Sequence, residues 1–194
     1  MRIFIALPLP DHFKQKLINQ TALLRERRKD LRWVPEKNLH VTLAFLGELK
    51  QVGTDLATAA MRRCAEKAHP FCIEADGLLT FPSKGRFRVL AAKISRGERE
   101  CAALASMLET ELAVEGQSGA YIFRKPERRP FAAHITVARA AREECSLSAE
   151  ERSLHLRLSE NVSVVAIFSS TFENGSIRYS ELGRIPLGNV RNYE

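Results

Sequence analysis

Apolar and polar residues alternate with different periods along this chain, and these periods predict its strands and helices. Short β-branched or aromatic runs predict strands over residues 2–7, 39–46, 71–79, 87–94, 132–138, 162–171 and 177–187, and a short extended piece over 31–35. Apolar residues three or four apart predict helices over residues 11–28, 54–68 and 98–114, and a capping box at 148–151 predicts a short fourth helix. Thr54 is the predicted N-cap of the second helix, and residues 116–130 are predicted to form a loop.

The order of these elements favours an α+β fold. Alternation of helices and strands also allows a doubly wound parallel sheet, but two predicted hairpins argue against it. The turn Glu173-Asn174-Gly175 is the clearest hairpin signal. No composition break marks a linker, so we expect one domain over residues 1–194, made of two interleaved lobes. Each lobe would hold a mostly antiparallel sheet beside a central cleft, with helices on the outside.

Two predicted strands carry nearly the same short sequence. Residues 39–44 read Leu-His-Val-Thr-Leu-Ala and residues 133–138 read Ala-His-Ile-Thr-Val-Ala. Because residues two apart in a strand point to the same face, each copy presents a histidine and a threonine on one face and packs apolar residues on the other. The two strands would therefore place His40, Thr42, His134 and Thr136 on the walls of the shared cleft.

This set of side chains suits metal-free phosphodiester chemistry. One histidine can act as a general base while the other acts as a general acid. Threonine hydroxyls can donate to the non-bridging phosphate oxygens. Arg139 could add a bidentate phosphate contact, although strict alternation places it off the face of His134.

A structural role for both motif histidines, on edge strands of a duplicated fold, stays open at this point. His12, His69 and His155 are interpreted as surface or capping residues. A zinc site on His40 and His134 would need a third ligand, and the sequence has no HExxH motif or Cys/His cluster. P-loop and GxGxxG motifs are also absent, so neither a metal nor a cofactor is expected.

The net charge of the chain favours an anionic partner. The net charge is +7 and the isoelectric point is about 9.5, which suits nucleic acid. Basic residues cluster at 84–88 and 124–129. We interpret Lys84, Arg86, Arg129 and Phe131 as a possible RNA-binding rim, with a solvated surface and core packing as the alternatives.

The four cysteines lie outside CxxC pairs and zinc-finger spacings, so we expect reduced thiols. There is no signal peptide pattern and no apolar run of the ~20 residues that a membrane helix needs. The expectation is a soluble, cytoplasmic protein, monomeric by default, without membrane contact.

The paired segments His40-Val-Thr42-Leu and His134-Ile-Thr136-Val resemble the two H-x-[T/S]-x motifs of the 2H phosphoesterase superfamily. Residues 33–47, which read Trp-Val-Pro-Glu-Lys-Asn-Leu-His-Val-Thr-Leu-Ala-Phe-Leu-Gly, are very similar to the first signature of its RNA 2′,3′-cyclic phosphodiesterase branch, also called 2′-5′ RNA ligases. Arg129-Pro-Phe131 and the run from His134 to Arg139 fit the second signature. Two residues depart from the pattern of the branch. Ala133, in the second signature, stands where the branch usually has proline, and Ala91, after the Val-Leu pair of the central hairpin, stands where it often has an aromatic residue.

The resemblance implies an enzyme with a two-lobed α+β fold that acts on RNA ends or cyclic nucleotides. It implies hydrolysis of a 2′,3′-cyclic phosphate to a 2′-phosphate. Our hypothesis makes His134 the base and His40 the acid, with Thr42, Thr136 and Arg139 holding the phosphate. The symmetry of the motif leaves the opposite assignment of the histidines open.

Three other functions stay open from the sequence. The cleft could bind nucleotides or RNA phosphate without catalysis, or it could join 2′-phosphate ends by the reverse reaction. A metal-dependent nuclease has the least support, because no third ligand is evident.

Overall fold

The computed structural model describes residues 1–117, 123, 130–142, 144–173 and 176–188. Within these residues the strands are β1 (Arg2–Pro8), β2 (Leu31–Trp33), β3 (His40–Glu48), β4 (Phe71–Phe81), β5 (Val89–Arg96), β6 (His134–Ala140), β7 (Leu158–Val162), β8 (Val164–Glu173) and β9 (Ser176–Pro186). The helices are α1 (Asp11–Gln20), α2 (Ala22–Arg27), α3 (Gln51–Lys67), α4 (Glu98–Gln117) and α5 (Ala149–Arg152), with a single 3-10 turn over Glu36–Asn38.

The strands form one antiparallel sheet in the order β7-β4-β5-β6-β3-β1-β8-β9, and β2 pairs with β6. One half of the order holds β4 to β7, and the other half holds β1, β3, β8 and β9. The two motif strands, β3 and β6, are the innermost strand of each half. The α+β class and the mostly antiparallel pairing are therefore confirmed, and the two halves share one continuous sheet.

The core lies between one face of this sheet and the helices. Val41 of β3 and Ile135 of β6 are fully buried on that face, as are Ile5 and Leu7 of β1. The two long helices α3 and α4 pack against each other; α3 contacts β8 and β9 of one half, and α4 contacts β3 and β5, one strand from each half. The period-two pattern that sends these aliphatic residues into the core leaves the histidines and threonines on the opposite face.

Two predicted helix features are wrong. The helix predicted over residues 11–28 is interrupted at Thr21, whose Oγ1 donates a hydrogen bond to the Leu17 carbonyl at 2.8 Å. Thr54 is not an N-cap, because α3 already begins at Gln51 after Lys50, and the Thr54 hydroxyl donates to the Lys50 carbonyl at 3.2 Å.

The other boundaries differ in smaller ways. Ser148 forms the predicted capping box with Glu151. The sequence pattern missed β7 as a separate edge strand, because its polar residues hide the alternation. The predicted turn residues Asn174 and Gly175 lie outside the described residues, as does most of the predicted loop 116–130.

All four cysteines are free thiols. Cys64, Cys101 and Cys145 are buried, and Cys72 is half-buried. In the described part of the chain, no helix is both long enough and apolar enough to cross a membrane.

Gly97, between β5 and α4, has a positive φ of 81° and no room for a side chain. A Cβ there would lie 2.6 Å from the Cys72 carbonyl oxygen. Gly85 has a similar φ of 74°, but a Cβ would meet nothing within 4 Å.

We expect Gly85→Ala to cost ~1–2 kcal/mol of unfolding free energy, from the backbone conformation alone. Gly97→Ala should cost roughly 3–5 kcal/mol, because the clash adds to the same strain. Urea titration of both variants measures the difference, and equal losses would contradict the clash.

Candidate active site

The two motifs meet at the centre of the sheet, on its non-helical face. Strands β3 and β6 are antiparallel, with Val41 paired to Ile135. This register places His40 across from Thr136 and Thr42 across from His134. The two histidines therefore flank one shared space, diagonally across two neighbouring strands.

The two imidazoles are oriented in the same way by backbone carbonyls. The Nδ1 of His40 lies 2.8 Å from the carbonyl oxygen of Asn38, and the Nδ1 of His134 lies 2.7 Å from that of Ala132. A carbonyl only accepts, so each Nδ1 carries a proton and Nε2 is the atom left for chemistry. The Nε2 of His40 lies 2.9 Å from the Thr42 hydroxyl, which can donate to it.

Both histidines have lowered pKa values. The pKa of His40 falls to about 4, mainly because the ring is buried and partly because of the positive charges of His134, Arg139 and Lys14, while the hydrogen bond to Asn38 opposes the shift. Burial also lowers the pKa of His134, and Arg139 lowers it further. Both rings are therefore predominantly neutral at neutral pH in the free protein.

Arg139 reaches the site through a β-bulge. On β5, Ala91 pairs with Thr136 and the preceding Leu90 pairs with Ala138, so Val137 is an extra residue in β6. The bulge reverses the alternation and returns Arg139 to the face of His134, where the sequence pattern alone had placed it on the opposite face. The guanidinium lowers the pKa of both histidines, consistent with that position.

An aromatic cluster surrounds His40 on the same face. The His40 ring centroid lies 4.9 Å from that of Phe4, 5.4 Å from that of Tyr179 and 6.3 Å from that of Phe168. Phe45, which is 55% exposed, extends the cluster beside Phe4. We call these four residues (Phe4, Phe45, Phe168 and Tyr179) the aromatic wall.

The opposite half of the cleft is chemically different. His134 contacts one aromatic ring among the described residues, that of Phe81 at 4.7 Å. Ala91, where the related branch often has an aromatic residue, is fully buried opposite Thr136. Arg139 is exposed and forms no ion pair with any described residue. The cleft therefore has an aromatic side and a cationic side.

Neither the aromatic wall nor Asn38 is predicted from the sequence to lie at the site. Phe4 and Phe168 look like core residues in the sequence, because aromatic residues in strands usually pack inside. The available signal was their alternation with aliphatic residues: Phe4 falls between Ile3 and Ile5, and so on the face opposite the helices.

The predicted RNA-binding rim is only partly described. Lys84 and Arg86 are exposed in the turn between β4 and β5, and Arg86 donates to the Glu144 carbonyl. Phe131 packs partly buried against the core. Arg129 lies outside the described residues, as do the basic residues Arg124, Lys125 and Arg128.

His12 and His155 lie on the surface, each with a ring nitrogen close to a carboxylate, that of Glu160 and that of Asp76. Across the described ranges, no three His, Cys, Asp or Glu side chains come close enough together to hold a metal ion.

Comparison with known proteins relates the chain to phosphoesterases. The family model "LigT like Phosphoesterase" matches residues 7–91. An Archaeoglobus fulgidus protein named RNA 2′,3′-cyclic phosphodiesterase is 32% identical over 145 residues, which cover 73% of this chain and 74% of that protein. A Geobacillus stearothermophilus protein of the same name is also 32% identical, over 70% of this chain, and this chain spans 41% of its length. An Aquifex aeolicus relative, again of that name, is 30% identical over 66% of each chain.

Two solved structures share the fold over almost the whole chain. A Thermus thermophilus protein superposes with a TM-score of 0.82 at 27% identity, covering 97% of this chain and all of that one. Escherichia coli LigT complexed with 3′-AMP superposes with a TM-score of 0.76 at 27% identity, covering 96% of this chain and 97% of LigT.

The low pKa of His40 links folding stability to pH. Because the folded pKa, about 4, lies below the ordinary value of 6.5, the unfolded chain binds a proton more readily. Stability from this residue is complete above pH 6.5 and is lost as the pH falls toward 4, by ~3 kcal/mol. We expect His40→Asn to remove that part of the pH dependence in urea titrations between pH 7 and 4. The exposed His155→Asn should keep it, and an unchanged slope in His40→Asn would contradict the linkage.

Proposed function

The chain belongs to the LigT-like phosphoesterase family, and on that basis we propose that it hydrolyses the 2′,3′-cyclic phosphate of RNA ends to a 2′-phosphomonoester. The reaction would use His40 and His134 as general acid and base, without a metal ion. The observation that carries the proposal is the pair of imidazoles on neighbouring strands, each with Nδ1 bound by a carbonyl and Nε2 available. The curated relatives' shared name supports the substrate.

The environments of the two histidines favour a division of roles. A general base must start neutral, and the pKa of His40, lowered to about 4, keeps it neutral under mildly acidic and neutral conditions. His134, which is also neutral in the free protein at neutral pH, would take up a proton when the anionic phosphate binds beside it. It would then donate that proton to the leaving 3′ oxygen. These roles are the reverse of those predicted from the sequence, where the symmetric motif allows either order.

The phosphate would lie between the two motifs. The hydroxyls of Thr42 and Thr136 can donate to its non-bridging oxygens, and Arg139 would balance the charge that develops on them. The hydroxyl of Thr42 now faces the Nε2 of His40. In the complex it can turn to the phosphate once that nitrogen takes up the proton of the attacking water.

The two unlike sides of the cleft would set the orientation of the nucleotide. Phe4 is buried within the aromatic wall, and Phe45, Phe168 and Tyr179 offer ring surface for a nucleobase or ribose. Arg139 on the other side attracts the phosphate. A nucleotide fits a cleft of this class, since the LigT structure of the same fold holds 3′-AMP. Lys84 and Arg86 would attract the remaining RNA chain through its phosphates.

The first test removes each imidazole. His40→Ala and His134→Ala should each lower kcat on a 2′,3′-cyclic mononucleotide by ~10²–10⁴-fold, because each loses one proton-transfer group. His12→Ala, at an exposed histidine paired with Glu160, serves as the control. With the wild-type protein, product analysis in the presence of EDTA should show the 2′-phosphate, formed at the same rate as without EDTA. Wild-type turnover by both site variants would refute the mechanism, and loss of activity in EDTA would refute metal independence.

The second test uses the pH dependence of kcat/KM. We expect a bell-shaped profile, with its acidic limb near pH 4 from His40 and its basic limb below pH 6.5 from His134. Arg139→Gln removes a cation that lowers both pKa values, so both limbs should move to higher pH. Arg99→Gln, the same charge change on α4, should leave the limbs in place. Limbs that stay fixed in Arg139→Gln would show that the guanidinium does not act on the histidines.

A further inference from the structure

Asn38 contacts two separate parts of the candidate site. It is 6% exposed, in the 3-10 turn just before β3. Its backbone carbonyl accepts the Nδ1 proton of His40 at 2.8 Å, and its side-chain Nδ2 donates to the carbonyl of Ile177 at 3.0 Å. One residue therefore joins the orientation of His40 to the start of β9.

The start of β9 carries part of the aromatic wall. Tyr179 lies two residues after Ile177, and its ring meets the ring of His40 edge-on, at 5.4 Å and 80°. In the described part of the chain, the β8–β9 hairpin pairs with the rest of the sheet through β8 alone. The Asn38 amide, donating to the Ile177 carbonyl, adds a direct link between the segment of His40 and this hairpin.

The second motif shows that the carbonyl contact alone does not need an asparagine. Ala132 holds the equivalent place before His134, and its carbonyl accepts Nδ1 at 2.7 Å. The amide of Asn38 is also incompletely satisfied, because its Oδ1 is buried without a hydrogen-bond partner among the described residues. A buried amide oxygen without a hydrogen-bond partner lowers stability. The asparagine at this position therefore points to a role other than filling space.

We infer that Asn38 is a positioning residue for His40: its carbonyl fixes the ring, and its amide holds the Tyr179 hairpin against that ring. The role in turnover rests on the proposed function, whereas the role in orienting the ring does not. With the hairpin in place, His40 is shielded from water and keeps the Nδ1-protonated form, with Nε2 directed into the cleft.

The charged groups near His40 influence its pKa, so the variants in the test must leave these groups unchanged. The titratable and charged groups that act on it are His134 and Arg139 from β6 and Lys14 from α1, and Tyr179 of β9 packs against its ring. None of these is changed in the variants below. His134, bound through Ala132, serves as an internal reference within the same molecule.

The test combines NMR of the two imidazoles with steady-state kinetics. In Asn38→Ala we expect water to reach His40, raising its pKa from about 4 toward 6.5 and mixing its tautomers, while His134 stays unchanged. Asn38→Asp should also raise the pKa of His40, because it places a carboxylate nearby and removes the donor to Ile177. On a cyclic mononucleotide, kcat should fall on the order of 10- to 100-fold with a smaller change in KM. Asn19→Ala, at an exposed position of α1, controls for the substitution itself.

The outcomes separate the possibilities. If Asn38→Ala loses only stability, with the tautomer and pKa of His40 and kcat as in the wild type, the residue is merely structural and the inference fails. If Asn38→Ala does not fold, Asn38→Ser, which adds no charge and removes the amide donor to Ile177, is measured in the same way and decides the matter by the same criterion. A wild-type protein without phosphodiesterase activity would overturn the proposed function, while a shifted His40 in the variants would still uphold the positioning role.

Discussion

The pairing of Val41 with Ile135 joins the two halves of the sheet, and the candidate site exists only because of it. Both side chains are fully buried, so the hydrophobic core holds the contact from the helical side. On the other face, the same register sets each motif histidine across from the threonine of the other motif. A shift of this register by one residue would turn these polar side chains into the core and leave aliphatic residues in the cleft.

The halves are related by strand order but differ in chemistry. In both motifs a bulge follows the threonine directly, with Leu43 or Val137 as the extra residue, and the threonine itself pairs with an alanine of the neighbouring strand. Three residues after the threonine, however, one half has Phe45 and the other has Arg139. The two halves thus share the same backbone arrangement around the motif but place different side chains beside the site, aromatic in one half and cationic in the other. In the proposed function, this difference sets the direction in which a nucleotide binds.

Strand alternation was enough to predict the two motif strands and the shared face of His40, Thr42, His134 and Thr136. It failed at Arg139, because the extra residue Val137 looks like any other apolar strand residue until its pairing with β5 is known. It also missed Asn38, whose side-chain partner lies 139 positions away in the chain. Local pattern therefore predicted the elements, whereas contacts between distant strands decided which side chains complete the site.

The sheet order has a consequence for synthesis on the ribosome. The half that contains His40 takes β1 and β3 from the start of the chain and β8 and β9 from its end, with the whole of the other half inserted between them. During translation, one edge of β1 stays unpaired until residues 164–173 have emerged. An unpaired edge beside a large apolar surface is a template for wrong association, so the nascent chain is most exposed to aggregation during this interval. Among the described strands, β8 and β9 are made after all the others, and they close this half together with the space around the first histidine.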